Sequence, residues 1–287
     1  MIIARVEGGL GNQMFIYAMG RALSLRSKKQ LVLDIRNSNF GANEAYGRTF
    51  RLDKFEIKAT VCESPAMDQY SRDSRKFYWR RKFAQALPLS WRSILDEPKK
   101  YDKRLLDFTT RRSLYVMGYW QCEQYFADCK EELRNDFIFK HPVSSTVAAM
   151  TETVENCNSV FIHIRRKHFS YRLTAAYYQN AMALLRTWHD NLTFFVFGDD
   201  AQWSAKHLPR DCNVRFLDRD KSSVEIDDLL VMSHCRHAII ANSSFSWWAA
   251  WLAQKDATST SVICPSEWGS ATTPAQRWYA LPNTFEA

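Results

Sequence analysis

Residues 160–166 read Val-Phe-Ile-His-Ile-Arg-Arg, an apolar run that ends in basic side chains. The pattern predicts a buried strand, and alternation along it places His163 and Arg165 on one face and Arg166 on the other. A histidine and two arginines at the end of a buried strand are costly to desolvate unless they meet an anionic partner. That partner is either an acidic group of the protein or a diphosphate, whose oxygens fit the forked guanidinium.

Strands and helices alternate through the rest of the second half, with short connections. Strands are predicted at 160–164, 192–197, 214–217, 238–241 and 261–264, and helices at 174–189, 200–207, 224–234 and 244–254. This repeat is typical of a doubly wound parallel sheet.

The first half opens with a similar pattern. A strand at 2–6, a helix at 12–27 and a strand at 31–35 are followed by an irregular stretch at 40–110, a strand at 114–119 and a helix near 123–135. The segment 140–158 is the predicted boundary. We therefore expect an α/β fold of two Rossmann-like halves that face each other across a cleft, with domains at 1–150 and 151–287.

Composition limits the class of protein. With 287 residues, 46% of them hydrophobic and 24% charged, the chain is long enough for two domains and is not of disordered composition. The longest apolar stretch, near 245–253, is too short to span a bilayer, and the N-terminus does not have the pattern of a signal peptide. Seven scattered cysteines without a CxxC pair predict reduced thiols rather than disulfides or structural zinc. A cytoplasmic protein is expected.

The net charge of +8 is concentrated in one segment. Residues 72–112 contain thirteen basic and five acidic residues, and aromatic residues lie among them, including Phe77, Tyr78, Trp79, Phe83 and Trp91. This mixture predicts peripheral contact with an anionic membrane surface, and a solvated face with a few core aromatics is the alternative. Nucleic acid is not expected as a partner, because no nucleic-acid motif accompanies the charge.

A glycine-rich turn, Gly8-Gly9-Leu10-Gly11-Asn12-Gln13, leads from the first strand into the first helix. It fits a tight structural turn, a nicotinamide site with Asp34 as the ribose-binding acid, or the site of another ligand. Met14 occupies the third glycine position of the nicotinamide fingerprint, which argues against that cofactor.

Two more polar clusters follow predicted strands in the second half. Phe197-Gly198-Asp199-Asp200 offers two carboxylates that could cap a helix, bind a metal or contact a base, and 241–248 reads Ala-Asn-Ser-Ser-Phe-Ser-Trp-Trp. Strand carboxyl ends are where open α/β sheets bind ligands, so these clusters together predict an anion-binding crevice for a nucleotide. Neither a P-loop nor a GxSxG elbow is present in the sequence.

With these motifs in order, the chain resembles the α-1,2-fucosyltransferases of glycosyltransferase family 11. The blocks that carry the resemblance are GGLGNQMF at 8–15, GYWQ at 118–121, HIRR at 163–166, FGDD at 197–200 and NSSFSWW at 242–248. The resemblance implies a GT-B-like fold and an inverting transfer of L-fucose from GDP-fucose to the 2-hydroxyl of a terminal galactose on a glycan such as an O-antigen precursor. It implies no metal and no cofactor.

The resemblance also assigns site residues. His163 and Arg165 would contact the nucleotide and diphosphate, with Arg166 nearby, and Asp199 or Asp200 would lie near the guanine. The remaining donor-binding positions that it implies are Gly9, Gly11, Asn12, Gln13, Asn242, Ser243, Ser244, Phe245 and Ser246.

One departure from the family pattern bears on activity. Lys167-His168 stands where the family usually has Gly-Asp. His168 therefore becomes a candidate catalytic base, beside Glu7 and Asp34. The alternatives are a GT-B transferase with a different nucleotide sugar, a nicotinamide-dependent enzyme, and a catalytically silent protein that binds a sugar nucleotide.

Overall fold

Two parallel β-sheets form the framework of the chain, one in the unit Met1–Lys140 and the other in the unit His141–Ala287. The computed structural model describes residues 1–36, 49–62, 75–140, 143–167, 170–209, 211–216, 225–254, 259–269 and 272–286. None of the helices in these described residues combines the length and the apolar character that crossing a membrane requires.

The first unit is built on a five-stranded sheet. Its strands are β1 (Ile2–Arg5), β2 (Leu31–Asp34), β3 (Thr60–Cys62), β4 (Ile94–Asp96) and β5 (Leu114–Met117). They pair in parallel in the order β3-β2-β1-β5-β4. Its α-helices are α1 (Leu10–Ser27), α2 (Arg75–Ala86) and α3 (Lys130–Asp136), the last preceded by a 3-10 helix at Glu123–Cys129.

Helices α1 and α2 cover opposite faces of this sheet. Gly20 of α1 lies so close to the sheet that a Cβ there would come within 3.1 Å of the Ala4 Cβ. Phe77 of α2 packs in a cluster that contains Ile3. Because neighbouring strand residues point to opposite faces, Ile3 and Ala4 place the two helices on opposite sides.

The second unit is built on a six-stranded sheet. Its strands are β6 (Asn158–Ile164), β7 (Leu192–Gly198), β8 (Val214–Phe216), β9 (His237–Ile239), β10 (Val262–Pro265) and β11 (Tyr279–Leu281). All pairs are parallel, in the order β11-β10-β9-β6-β7-β8. Its helices are α4 (Ser145–Glu155), α5 (Ala175–Trp188), α6 (Ala201–His207), α7 (Glu225–Ser233) and α8 (Ser244–Ala253).

This strand order confirms the predicted doubly wound sheet. From β6 the chain builds outward through β7 to β8, then returns to the other side of β6 and builds outward again through β9, β10 and β11. Right-handed crossovers in the two directions put helices on both faces, so β6 is buried from Ser159 to Ile164.

The division between the units falls after Lys140, ten residues before the expected boundary at 150. Residue 150 lies inside α4, which begins at the Ser144 cap and packs against α7 of the second unit. Val147 and Val154 are its buried residues. A helix whose apolar side faces the second unit belongs to that unit, so the segment 140–158 predicted as the boundary holds a helix of the second unit.

The expectation of an irregular stretch at 40–110 is wrong for three segments, which form β3, α2 and β4. The strands are three residues each, and α2 buries two of its residues, Phe77 and Ala84. Apolar periodicity this weak does not mark an element in a sequence.

Candidate functional site

The carboxyl end of β6 lies at the point where the direction of the second sheet reverses. β7 is its neighbour on one side and β9 on the other. In open α/β sheets this switch point, outside the carboxyl ends of the strands, is where ligands bind. Three of the predicted blocks lie at this edge: HIRR at the end of β6, FGDD at the end of β7 and NSSF after β9.

The residues after β6 form a short loop, 165–167, which we call the arginine loop. Asp199, at the end of β7, organises it. One Asp199 oxygen accepts hydrogen bonds from the Arg165 guanidinium at 2.9 Å and the Lys167 amide at 3.1 Å, and the other accepts from the Arg166 amide at 2.8 Å. Arg165 keeps 40% of its side chain exposed at this edge. The loop is therefore fixed while one guanidinium stays accessible to a ligand.

Gly198 makes this brace possible. Its φ is +146°, and a Cβ at this position would lie 2.2 Å from the Ile164 carbonyl oxygen. Glycine alone lets the end of β7 approach β6 this closely. The close approach brings Asp199 beneath the arginine loop.

Arg166 is engaged inside the protein. Its guanidinium pairs bidentately with Glu286, lies 3.6 Å from an Asp200 oxygen and stacks on Trp203 at 4.0 Å. The hydrogen bonds to Arg166 hold the pKa of Glu286 below its usual range. The sequence assigned the Arg166 guanidinium to the donor, but both of its Nη atoms donate to Glu286. Arg166 therefore holds the chain after β11 against the arginine loop.

Asp199 and Asp200 both have roles within the fold, and their contact with the guanine stays a prediction. Asp200 caps α6, because its side chain accepts a hydrogen bond from the Trp203 amide at 2.9 Å. Asp199 braces the arginine loop. The helix-capping alternative therefore fits Asp200, and Asp199 acts as a positioning residue for Arg165.

Helix α8 begins at the same edge, just beyond β9. Asn242 is buried and its amide nitrogen donates to the carbonyls of Tyr171 and Trp268 at 3.0 Å each. Within the part of the chain that the structure describes, its side-chain oxygen accepts no hydrogen bond. The Ser246 hydroxyl donates to the Ala241 carbonyl, so it fastens the start of the helix. These two residues shape the turn.

Ser243, Ser244 and Phe245 are partly exposed at the start of α8. Backbone N–H groups and the positive end of the helix dipole make such a helix start favourable for anions. The Phe245 ring lies 5.4 Å from the ring of His163, which is itself buried. His163 thus joins β6 to α8 at the edge where Arg165 is exposed.

In the first unit, the glycine-rich turn is held by its own side chains. Gln13 is fully buried and bonds the Gly8 and Thr49 carbonyls and the Arg51 amide. Asn12 accepts a hydrogen bond at 2.7 Å from Gln121 of the GYWQ block. Two separate family motifs are therefore joined by one amide pair.

The glycines of this turn differ in whether the backbone could accept a side chain at their positions. Gly8 has a φ of +82°, and a Cβ there would crowd the Asn12 side chain, so the backbone requires glycine. Gly9 has open space around its missing Cβ, which leaves its predicted contact with a ligand as a prediction. Gly11 is buried within α1.

The three candidate bases differ in accessibility. Asp34 is fully buried, and its oxygens accept hydrogen bonds from Tyr115 and Arg36, so it cannot reach an acceptor hydroxyl. Burial and this carboxylate raise the pKa of Tyr115. Glu7 is 24% exposed and pairs with Arg5 at 3.2 Å. His168 lies outside the described residues.

Sequence reasoning missed the roles of Gly198 and Glu286 and the pairing of Arg165 with Asp199. Glu286 belongs to no motif, and the pairing depends on the register that sets Ile164 beside Gly198. A glycine immediately before two aspartates at a strand end was the available signal. Within the described residues, no group of three histidine, cysteine or acidic residues could hold a metal ion. Independence from metal stays a prediction.

Comparisons with known proteins agree with this picture. The sequence profile of glycosyl transferase family 11 matches residues 90–273. The chain is 34% identical over 283 residues to an α-1,2-colitosyltransferase of Escherichia coli, covering 93% of this chain and 92% of that protein. It is 25% identical over 288 residues to the O-antigen biosynthesis glycosyltransferase WbnK of Escherichia coli, covering 92% and 93%.

The fold is also that of solved glycosyltransferases. The fucosyltransferase NodZ from Bradyrhizobium superposes with a TM-score of 0.51 at 15% identity, over 87% of this chain and 91% of NodZ. At this identity the similarity concerns the fold alone. The prediction of a GT-B-like α/β fold is confirmed.

Proposed function

The chain belongs to glycosyltransferase family 11, and on that premise we propose that it transfers L-fucose from GDP-fucose to the 2-hydroxyl of a terminal galactose. The acceptor we propose is a surface glycan or its precursor. Membership of the family supports glycosyl transfer as the reaction class. The names of the two Escherichia coli relatives suggest the α-1,2 linkage and the O-antigen setting.

The main support for a donor site here is Arg165, which is exposed on a loop that Asp199 holds in place. When the bond from fucose to the diphosphate breaks, negative charge accumulates on the diphosphate oxygens. A guanidinium already held in place by Asp199 needs no reorganisation to meet that charge. A preorganised donor of this kind contributes on the order of 3 kcal/mol to the transition state.

The start of α8 supplies a second set of donors at the same sheet edge. Its N–H groups follow Ser243, whose side chain makes no cap hydrogen bond in the described structure. Phosphate oxygens bind favourably at such helix starts. Arg165 and α8 approach the switch point from β6 and β9, so a diphosphate between them would meet positive potential from both sides.

The proposed reaction is a single in-line displacement. The acceptor oxygen bonds to the anomeric carbon of fucose while the bond from that carbon to the diphosphate breaks, and the electron pair leaves with GDP. The hydroxyl proton passes to a base, for which His168 and the partly exposed Glu7 are the candidates. The anomeric configuration inverts because attack and departure take opposite faces.

GDP-colitose is the second candidate donor, favoured by the 34% identity to a colitosyltransferase. Colitose is L-fucose without the 3-hydroxyl. A site that hydrogen-bonds this hydroxyl rejects the deoxy sugar by about 10⁴-fold or more, whereas an apolar site rejects the hydroxylated sugar by about 10²-fold. The ratio of kcat/KM for the two donors therefore reports which sugar the pocket is built for.

The test measures GDP release from GDP-fucose, GDP-colitose and GDP-mannose, with lactose and related β-galactosides as acceptors. Product linkage is read by NMR, and an Arg165→Ala variant gives the background rate. Preferred turnover of GDP-fucose with a new α-1,2 bond supports the proposal. Turnover of GDP-colitose alone replaces the donor, and binding of GDP without turnover of any donor identifies a silent relative.

A further inference from the structure

Helix α2, Arg75–Ala86, has an unusual outward face. Its inward side packs on the first sheet through Phe77 and Ala84. Three aromatic side chains instead point to solvent: Tyr78 is 51% exposed, Trp79 65% and Phe83 69%. Single exposed aromatics are common on proteins, but three within six residues form a patch that marks an interaction surface.

The same face is cationic. Arg75, Lys76 and Lys82 are exposed on it, and α2 contains no acidic residue. The Lys82 ammonium lies 5.1 Å from the centre of the Tyr78 ring and 5.9 Å from that of the Trp79 ring. Cations and rings are therefore interleaved on one surface, which we call the α2 face.

Polar side chains at the edge of α2 bond it to the sheet of the first unit. Arg81 pairs with Asp96 of β4 at 2.9 Å, and Gln85 bonds the same carboxylate. Arg92 donates to the Leu87 and Gln85 carbonyls just after the helix. The α2 face is thus presented by a helix held in place from beneath, and it needs no folding step to meet a partner.

We propose that the α2 face binds the surface of an anionic lipid bilayer, with the helix lying in the plane of the headgroups. Tryptophan and tyrosine settle at this interface, and each lysine or arginine near it gains from the negative surface potential. Long cationic side chains can reach back to the phosphates while the rings enter between the headgroups. The sequence predicted membrane contact for the whole basic segment 72–112, and the proposal assigns that contact to one face of α2.

The test is co-sedimentation of the full chain with phosphatidylcholine vesicles, with and without phosphatidylglycerol, at low and high salt. Wild-type protein should bind the anionic vesicles and lose binding at high salt, because screening shortens the reach of the surface potential. Replacing Arg75, Lys76 and Lys82 by glutamine should weaken partitioning about 100-fold, since each cation contributes about fivefold.

Two further variants make the result specific. A control variant with Lys140, Lys206 and Arg236 changed to glutamine has the same net charge as the α2-face variant. It should nevertheless bind the vesicles as the wild-type protein does. Changing the three aromatics Tyr78, Trp79 and Phe83 to serine should weaken vesicle binding about tenfold or more. Thermal unfolding and turnover on lactose verify that each variant is folded.

Three outcomes overturn the proposal. Failure of the wild-type protein to bind anionic vesicles at low salt is the first, and equal loss in the α2-face and control charge variants is the second. The third is wild-type vesicle binding by the aromatic variant together with full competition by polyuridylate, which would make the face a site for soluble polyanions.

Discussion

Removing the Asp199 carboxylate should impair catalysis by way of Arg165. An Asp199→Ala change deletes the acceptor for the Arg165 guanidinium and for the amides of Arg166 and Lys167. Once the loop can shift by about 1 Å, a loss of about 10²-fold in kcat/KM is expected, as for other misplaced catalytic groups. Asp199→Asn keeps one acceptor oxygen without the charge, and it should lose about tenfold.

A double-mutant cycle separates this mechanism from simple destabilisation. Arg165→Ala should lower kcat/KM about 10²–10³-fold. If Asp199 acts through Arg165, adding Asp199→Ala to that variant should cost little more. The assay is initial-rate GDP release over a range of GDP-fucose concentrations, with kcat and KM reported separately. Asp211→Ala is the matched control, because it also removes a carboxylate that pairs with an arginine, Arg186, but one outside the proposed site, so turnover should stay near wild type.

The reasoning fails if the two single effects multiply in the double variant, since Asp199 would then act independently of Arg165. It also fails if folded Asp199→Ala retains wild-type kcat/KM. Thermal unfolding identifies the folded variants.

Arg165→Lys should recover little of the activity lost in Arg165→Ala, because a point charge cannot reproduce a bidentate fork, and wild-type rates in either would exclude the donor contact. Turnover should persist in excess EDTA, and loss that magnesium or manganese reverses would show a metal requirement. His168→Ala should lower kcat and remove a titration near pH 6–7, whereas Lys167→Gly with His168→Asp should give an active enzyme with a shifted acid limb; an unchanged profile in His168→Ala excludes the base role. Burial lowers the pKa of His237 to about 4, so the unfolded state binds the proton first and stability should fall by up to about 3 kcal/mol as pH drops from 6.5 to 4. Chemical denaturation over this pH range should show a smaller fall in His237→Gln than in the wild-type protein.

The sequence was sufficient for the elements that bury continuous apolar runs. β6 and β7 are seven residues each and almost wholly buried, so hydrophobicity alone marks them. The edge strand β3 has two exposed residues of three, and β11 has the same pattern. Such strands owe their conformation to the neighbour they pair with, and that information is not local.

In the candidate site, too, residue types could be predicted from the local sequence, whereas contacts between distant residues could not. The chemistry of Arg165 and Asp199 could be inferred from residue type and position after a strand. Their ion pair could not, because it depends on the register between β6 and β7. The engagement of Arg166 by Glu286 joins residues 120 positions apart, and no pattern in the chain indicates it.

The reversal of strand order at β6 also has a kinetic side. Ile162 pairs with Val196, 34 residues away, and with Ile239, 77 residues away. Closing the longer loop costs about 0.7 kcal/mol more entropy, which favours early formation of β6 with β7. Arg165 and Asp199 would then meet before α8 folds, and the proposed diphosphate site would be completed only when β9 and α8 join the sheet.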